Sequence, residues 1–178
     1  MPERPTRIVL VGFMGSGKTS VGRVLARKLR YAFEDMDARI EERTGRKVAD
    51  IFRDDGEEAF REMEREEARA LSSLSRRVVA AGGGAFTRPA TRALLQEGAL
   101  TVWLRCDLER ILARVPADGS RPLAANRAII PALLAEREPS YRMADVVVDA
   151  SAGTPREVAD RIVGLLEGRK RKRTSARR

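Results

Sequence analysis

Residues 12–19 read Gly-Phe-Met-Gly-Ser-Gly-Lys-Thr and fill every fixed position of G-x-x-x-x-G-K-[ST]. The chemistry such a loop serves is the binding of a polyphosphate. Glycines let backbone N–H groups turn inward, and a helix starting at the end of the loop adds its positive dipole end. Here Gly12, Gly15 and Gly17 supply the freedom, with Ser16 between the last two, and Ser20 opens a helical pattern over 20–29. Lys18 has the reach to touch β- and γ-phosphates, and the Thr19 hydroxyl is a ligand for Mg²⁺.

Asp35 and Asp37 are the next residues suited to phosphoryl transfer. If the chain there is extended, their side chains point the same way, so one could hold water on Mg²⁺ while the other accepts a hydroxyl proton. An equally weighted reading makes Asp37 the N-cap of a helix over 38–43 and Asp35 a turn residue. Gly82, Gly83 and Gly84 follow an apolar run and either relax a loop or bring bare backbone against a ligand; without context the relaxed loop is favoured. Arg61 sits where acids and bases alternate over 57–69, a pattern that suits an exposed helix face. Between 116 and 126 a turn-rich stretch carries Arg121 and reads as a lid, because a kinase must keep water from its phosphoryl group.

The elements that would position these groups alternate along the chain. Strand-like runs at 8–11, 78–81, 100–104 and 146–148, with a weaker one ending near 33–34, are separated by helical patterns such as 57–74 and 155–166. That alternation predicts an α/β fold, three layers around a mostly parallel sheet. Ligands of such sheets sit at the carboxyl ends of the strands, which places the phosphate loop, the Asp35 and Asp37 pair and the triple glycine on one edge.

At 178 residues the chain has room for one domain, expected over 1–168. It has no histidine, so the proton acceptor must be a carboxylate or a lysine. One cysteine, Cys106, points to a reducing cytosol, and the polar start predicts neither a leader nor a membrane span. The net charge is +9, but seven of those charges fall in 169–178, which leaves +2 for the rest. That tail is expected to be disordered and solvated, with no specific nucleic-acid partner.

Taken in order and spacing, these residues resemble shikimate kinases, a family of small P-loop kinases of aromatic amino-acid biosynthesis. The resemblance runs from residue 7 to 168. It is carried by the loop from Gly12 through Gly22, by Asp35-Met36-Asp37, and by Thr44-Gly45-Arg46 followed by Ile51-Phe52. It continues through Gly56-Glu57, Phe60-Arg61 and Glu64, then Gly82-Gly83-Gly84-Ala85, Arg121-Pro122-Leu123 and Arg137-Glu138-Pro139-Ser140-Tyr141.

By that resemblance the fold is a five-stranded parallel sheet between helices with a mobile lid, akin to nucleoside monophosphate kinases. The implied reaction moves the γ-phosphoryl group of ATP to the 3-hydroxyl of shikimate, with Mg²⁺. Asp37 would bind the substrate hydroxyls and act as or near the base, Arg61 and Arg137 would hold the substrate carboxylate, and Gly83, between Gly82 and Gly84, would offer its N–H. Arg121 would close onto the phosphates and Lys18 would bridge the transferring group. Asp35 would assist Mg²⁺ through water beside Thr19, and Arg114 and Pro155 would flank adenine.

The family pattern is broken at Ser140, where relatives carry leucine beneath the clamp, and at Gly153, where some carry arginine. The implied protein is a cytoplasmic monomer with no membrane partner. Two other readings remain: a kinase for another small hydroxy acid such as gluconate, and a nucleotide-binding regulatory module whose tail touches nucleic acid.

Overall fold

Four apolar side chains in a row, Ile8 to Val11, have no accessible surface at all, and they form the middle of the molecule. Burying each contributes about 1.5–3 kcal/mol, and a run with no polar alternation is what a strand covered on both faces requires. In the computed structural model, which describes residues 5–115 and 126–175 with side chains through 168, this run is strand β1 (Arg7–Val11). It is followed by β2 (Ala32–Asp35), β3 (Arg77–Ala80), β4 (Ala99–Arg105) and β5 (Val146–Asp149). All pairings are parallel, in the order β2-β3-β1-β4-β5.

Seven α-helices cover the sheet among the described residues. On one face α1 (Lys18–Leu29) and α7 (Pro155–Ser175) pack Val21, Leu25, Val158 and Ile162 against the sheet residues Ile8, Leu10, Val102 and Leu104. On the other, α3 (Val48–Ser72), α4 (Pro89–Gln96) and α6 (Ile130–Tyr141) bring Leu71, Leu95 and Tyr141 onto Val9, Val79 and Trp103. Helices α2 (Met36–Thr44) and α5 (Leu108–Arg114) sit at the carboxyl edge of the sheet, after β2 and β4.

Arg7 fastens the opposite end. Its buried guanidinium donates to the carbonyls of Leu71 and Ser72 at the end of α3 and of Glu97 at the end of α4, where orphan carbonyls and the negative dipole ends collect. Burial lowers its pKa, with the Glu97 charge opposing that.

Helix α3 begins earlier than the charge pattern over 57–74 predicts, and it is broken at Gly56, whose φ of 84° and ψ of 171° interrupt the helix. Only a residue without Cβ takes that conformation cheaply, so 48–55 and 57–72 are two helical pieces meeting at an angle. At the other terminus α7 does not stop near 168. It continues to Ser175, because lysine and arginine are good helix formers and charge alone does not end a helix. The segment 116–125, which holds Arg121 and nearly all of the expected lid, lies outside the described residues.

Candidate active site

The cradle closes on itself as its sequence demands. Gly17 stands before α1 with φ 92°, and no side chain caps that helix, so its first-turn N–H groups remain available to an anion. The Lys18 ammonium donates to the carbonyls of Gly12 and Phe13, at 2.8 and 2.9 Å, which holds it over the loop. Ser16 is buried, and its hydroxyl oxygen has no hydrogen-bond partner among the described residues. Ser20 is exposed in the first turn of α1. Arg114, at the end of α5, donates to the Gly15 carbonyl at 3.4 Å and lies 3.8 Å from where a Cβ on Gly17 would be. Pro155 begins α7, after the bend at 151–153.

Neither backbone geometry expected for the Asp35 and Asp37 pair holds. The strand ends at Asp35, and Asp35, not Asp37, is the N-cap: its Oδ1 accepts from the backbone N–H groups of Asp37 and Ala38. Its Oδ2 accepts the Thr19 hydroxyl at 2.7 Å. Asp37 is already in the first helical turn, so the two carboxylates diverge. Asp35 faces the phosphate end of the cradle through Thr19, and Asp37 faces the glycine row.

The glycine row is no relaxed loop. A Cβ on Gly82 would stand 2.2 Å from Glu64 Oε1 and 3.0 Å from Asp37 Oδ1, and one on Gly84 would stand 2.4 Å from the Arg61 guanidinium. A Cβ on Gly83 would meet the Met14 N–H at 3.4 Å and Arg137 at 3.6 Å. Four side chains from three helices therefore lie directly on bare backbone, next to the phosphate loop.

Arg61 is not on a solvated face either, since only 7% of it is exposed. It pairs with Glu64 at 2.7 Å and with Glu57 at 2.7 Å, and its guanidinium carbon sits 5.7 Å from the Phe52 and Phe60 ring centres. Rings packed this way attract a cation and fix its plane. Arg137, buried on α6, stacks at 5.7 Å on Phe13. That ring, from the phosphate loop, is the surface against which it rests. Ser140 is only partly buried. One cavity is lined by Met14, Asp37, Arg61, Glu64, Gly83 and Arg137, with Val48 and Phe52 on the α3 side.

Two residues that the charge and glycine patterns pass over belong to this site. Glu64 is 1% exposed, with Oε2 on Arg61 and Oε1 lacking any hydrogen-bond partner among the described residues. Burial pushes its carboxyl up to about 7; the charge and hydrogen bond of Arg61 pull it back, Asp37 adds to the rise and Arg137 opposes it. Tyr141 donates its hydroxyl to the Gly83 carbonyl, and burial raises its phenol to about 12. Nothing local marks either one. Glu64 is one acid among many on a charged helix, and Tyr141 shows only as an apolar position.

At Gly153, φ is 93° and a Cβ would stand 2.9 Å from the Arg161 guanidinium. Arg161 reaches up from α7 and donates to the carbonyls of Asp149 and Ala152, so an arginine reaches this bend from the helix rather than from the loop itself.

A parallel sheet with a polyphosphate cradle after its first strand, and a small cavity of paired guanidiniums beside it, defines a P-loop kinase of small molecules. Comparison with known proteins narrows this further. The profile of the shikimate kinase family matches residues 14–167. The shikimate kinase of Moorella thermoacetica is 44% identical over 92% of this chain and 98% of its own length. The solved shikimate kinase from Acinetobacter baumannii in complex with shikimate superposes with a TM-score of 0.90 at 37% identity, over 93% of this chain and 94% of that one. The chain belongs to the shikimate kinase family. A gluconokinase from Sinorhizobium meliloti shares the fold alone, with a TM-score of 0.55 at 20% identity.

Proposed function

We propose that this chain transfers the γ-phosphoryl group of ATP to the 3-hydroxyl of shikimate, giving shikimate 3-phosphate and ADP. The observation that carries the reading is the meeting of Arg61 and Arg137 over Gly83 and Gly84, beside the Met14 N–H of the cradle. Two planar, permanently charged forks held against aromatic rings match a carboxylate bidentately. With the acid so fixed, Asp37 meets the acceptor's hydroxyls from the α2 side, binds them and takes the proton as the oxygen attacks. The Gly83 N–H and its neighbours Gly82 and Gly84 form the floor.

ATP lies along the residues 15–20. Gly15, Ser16, Gly17 and Lys18 hold the β- and γ-phosphates, Thr19 and Ser20 continue the first turn, and Arg114 and Pro155 flank the adenine. The Thr19 hydroxyl beside the Asp35 carboxylate is a hard-oxygen pair, which suits Mg²⁺, an ion that takes one or two protein oxygens and completes its shell with water and phosphate. Bound there, Mg²⁺ would neutralise charge building on the phosphates. Arg121 is assigned the same task from the lid.

No helix among the described residues is long and apolar enough to cross a membrane. The single buried thiol of Cys106 supports a cytoplasmic setting, and a site assembled from one chain supports action as a monomer. No nucleic-acid partner is assigned to the basic terminus.

ADP release with Mg-ATP, compared for shikimate, quinate, gluconate, a nucleoside monophosphate and no acceptor, tests the reading. Rapid release only with shikimate is expected. Turnover with gluconate instead would replace the acceptor, and silence with every acceptor in folded, ATP-binding protein would favour a regulatory module.

A further inference from the structure

Four charged groups line the acceptor cavity: Arg61 and Arg137 as cations, Asp37 and Glu64 as carboxyl groups. When both carboxyls are ionised, the count is balanced without an acceptor. A bound acid brings a third negative charge into a space with little water to screen it, and an unbalanced buried charge is expensive. One carboxyl must then give way.

We infer that this chain takes up a proton on Glu64 when its carboxylate-bearing acceptor binds. This rests on the assignment of Arg61 and Arg137 to that carboxylate. The geometry selects Glu64 over Asp37. Glu64 is 1% exposed, while Asp37 is only partly buried at the edge of the cavity. Glu64 also holds Arg61, the cation the acceptor must share, so the arriving anion weakens the one interaction that keeps Glu64 ionised. Its other oxygen, Oε1, has no hydrogen-bond partner among the described residues and is pressed against the Gly82 backbone together with Asp37 Oδ1. Two like charges converging on one glycine disfavour double ionisation even before the acceptor arrives.

Around Glu64, helix α3 supplies Arg61 and, through it, Glu57; α2 supplies Asp37; α6 supplies Arg137 and Tyr141; residues 82–84 supply backbone alone. Glu57 weighs little in this balance of charge, because its side chain is 42% exposed and water screens it. With Glu64 neutral and the acceptor in place, two cations face two anions again. Glu64 is thus a positioning residue whose proton adjusts the clamp to its cargo.

The proton can be counted. Shikimate binding to the intact protein, without nucleotide, is measured by titration calorimetry near pH 8 in buffers of differing ionisation enthalpy. The wild type should take up a large fraction of one proton, and its shikimate Kd should weaken by up to about tenfold per pH unit above neutrality. Glu64→Gln should bind with no uptake and a flat Kd, while Glu57→Gln should keep the uptake. Binding without uptake in the wild type overturns the inference and leaves the acceptor assignment standing. Equal uptake in Glu64→Gln also overturns it by moving the proton elsewhere, and failure to bind shikimate at all sinks both readings. If Glu64→Gln does not fold, infrared difference spectra of the wild type decide: a protonated-carboxyl C=O band must appear on adding shikimate, and its absence is fatal.

Discussion

Thr19 donates its hydroxyl to Asp35 at 2.7 Å, which ties the first turn of α1 to the residue that caps α2. The nucleotide half and the acceptor half of the site are therefore joined by one hydrogen bond. The other oxygen of Asp35 accepts the N–H of Asp37 itself, so the proposed base is set by the same carboxylate. Asp35→Ala should lose about 1 kcal/mol of stability with the cap and need more Mg²⁺ for half-maximal turnover. Thermal unfolding and a Mg²⁺ titration of kcat check the two effects separately; an unchanged Mg²⁺ requirement would confine Asp35 to capping.

Asp37→Ala removes the acceptor's proton partner and leaves the cradle untouched. Turnover should fall by about 10²–10⁴ with ATP affinity retained. Comparable loss of ATP affinity would remove Asp37 from that role.

Arg61→Ala strips a charged hydrogen-bond partner from the acceptor, which costs about 1.5–3 kcal/mol, or roughly tenfold to 150-fold in the shikimate KM. It also leaves Glu64 buried without its hydrogen-bonded cation, with only Arg137 nearby, so stability should drop as well, by up to about 3–5 kcal/mol. Steady-state kinetics on variant that remains folded separates the first effect from the second. A KM equal to that of the wild type would return Arg61 to a purely structural part.

Gly82→Ala places a Cβ 2.2 Å from Glu64 Oε1, the end of a buried side chain held by Arg61. Both Glu64 and Asp37 must shift, and activity should fall by more than tenfold. Gly164→Ala is the control: it lies in α7 with nothing within 4 Å of the added atom and should gain about 0.5–1 kcal/mol. Denaturant unfolding and turnover of both variants make the comparison, which fails if Gly82→Ala is as active as the control.

Glu64 also links stability to pH. Its carboxyl rises from 4.5 to about 7 on folding, chiefly through burial, so the folded chain holds that proton more tightly than the unfolded one. The stability this contributes is complete below 4.5 and is lost as pH climbs through about 7, a change on the order of 3 kcal/mol. Urea unfolding between about pH 5 and about pH 8 should show that decline in the wild type and a flatter profile in Glu64→Gln. Parallel profiles would show that Glu64 titrates normally.

Much of the fold is written locally. The run 8–11, the loop after it and the alternation of strand and helix lead to the parallel sheet, because continuous burial and glycine spacing are properties of neighbouring residues. The site is less legible because its meaning comes from distance. Arg61 has the neighbours of a surface residue in sequence, and only packing of α3 against residues 82–84 turns it inward. The same holds for the triple glycine, whose tight fit depends on side chains some 18 to 45 positions earlier. Asp35 and Asp37 fail for a different reason: strand and helix propensities meet there, and a shift of two residues in the boundary moves the cap from Asp37 to Asp35. Family resemblance supplied the roles of Arg61, Arg137 and Asp37, yet it attached no role to Glu64.

The bare wall at Gly82 and Gly84 limits how this protein could be re-engineered. A larger residue at either position displaces Glu64 or Arg61 from the site, so a search for variants that phosphorylate other acids gains little from randomising them. The opposite wall is different, since Val48 and Phe52 are apolar side chains on the short helical piece before Gly56. New acceptor shapes would have to be accommodated there, which makes that one turn of helix the natural target for a focused library.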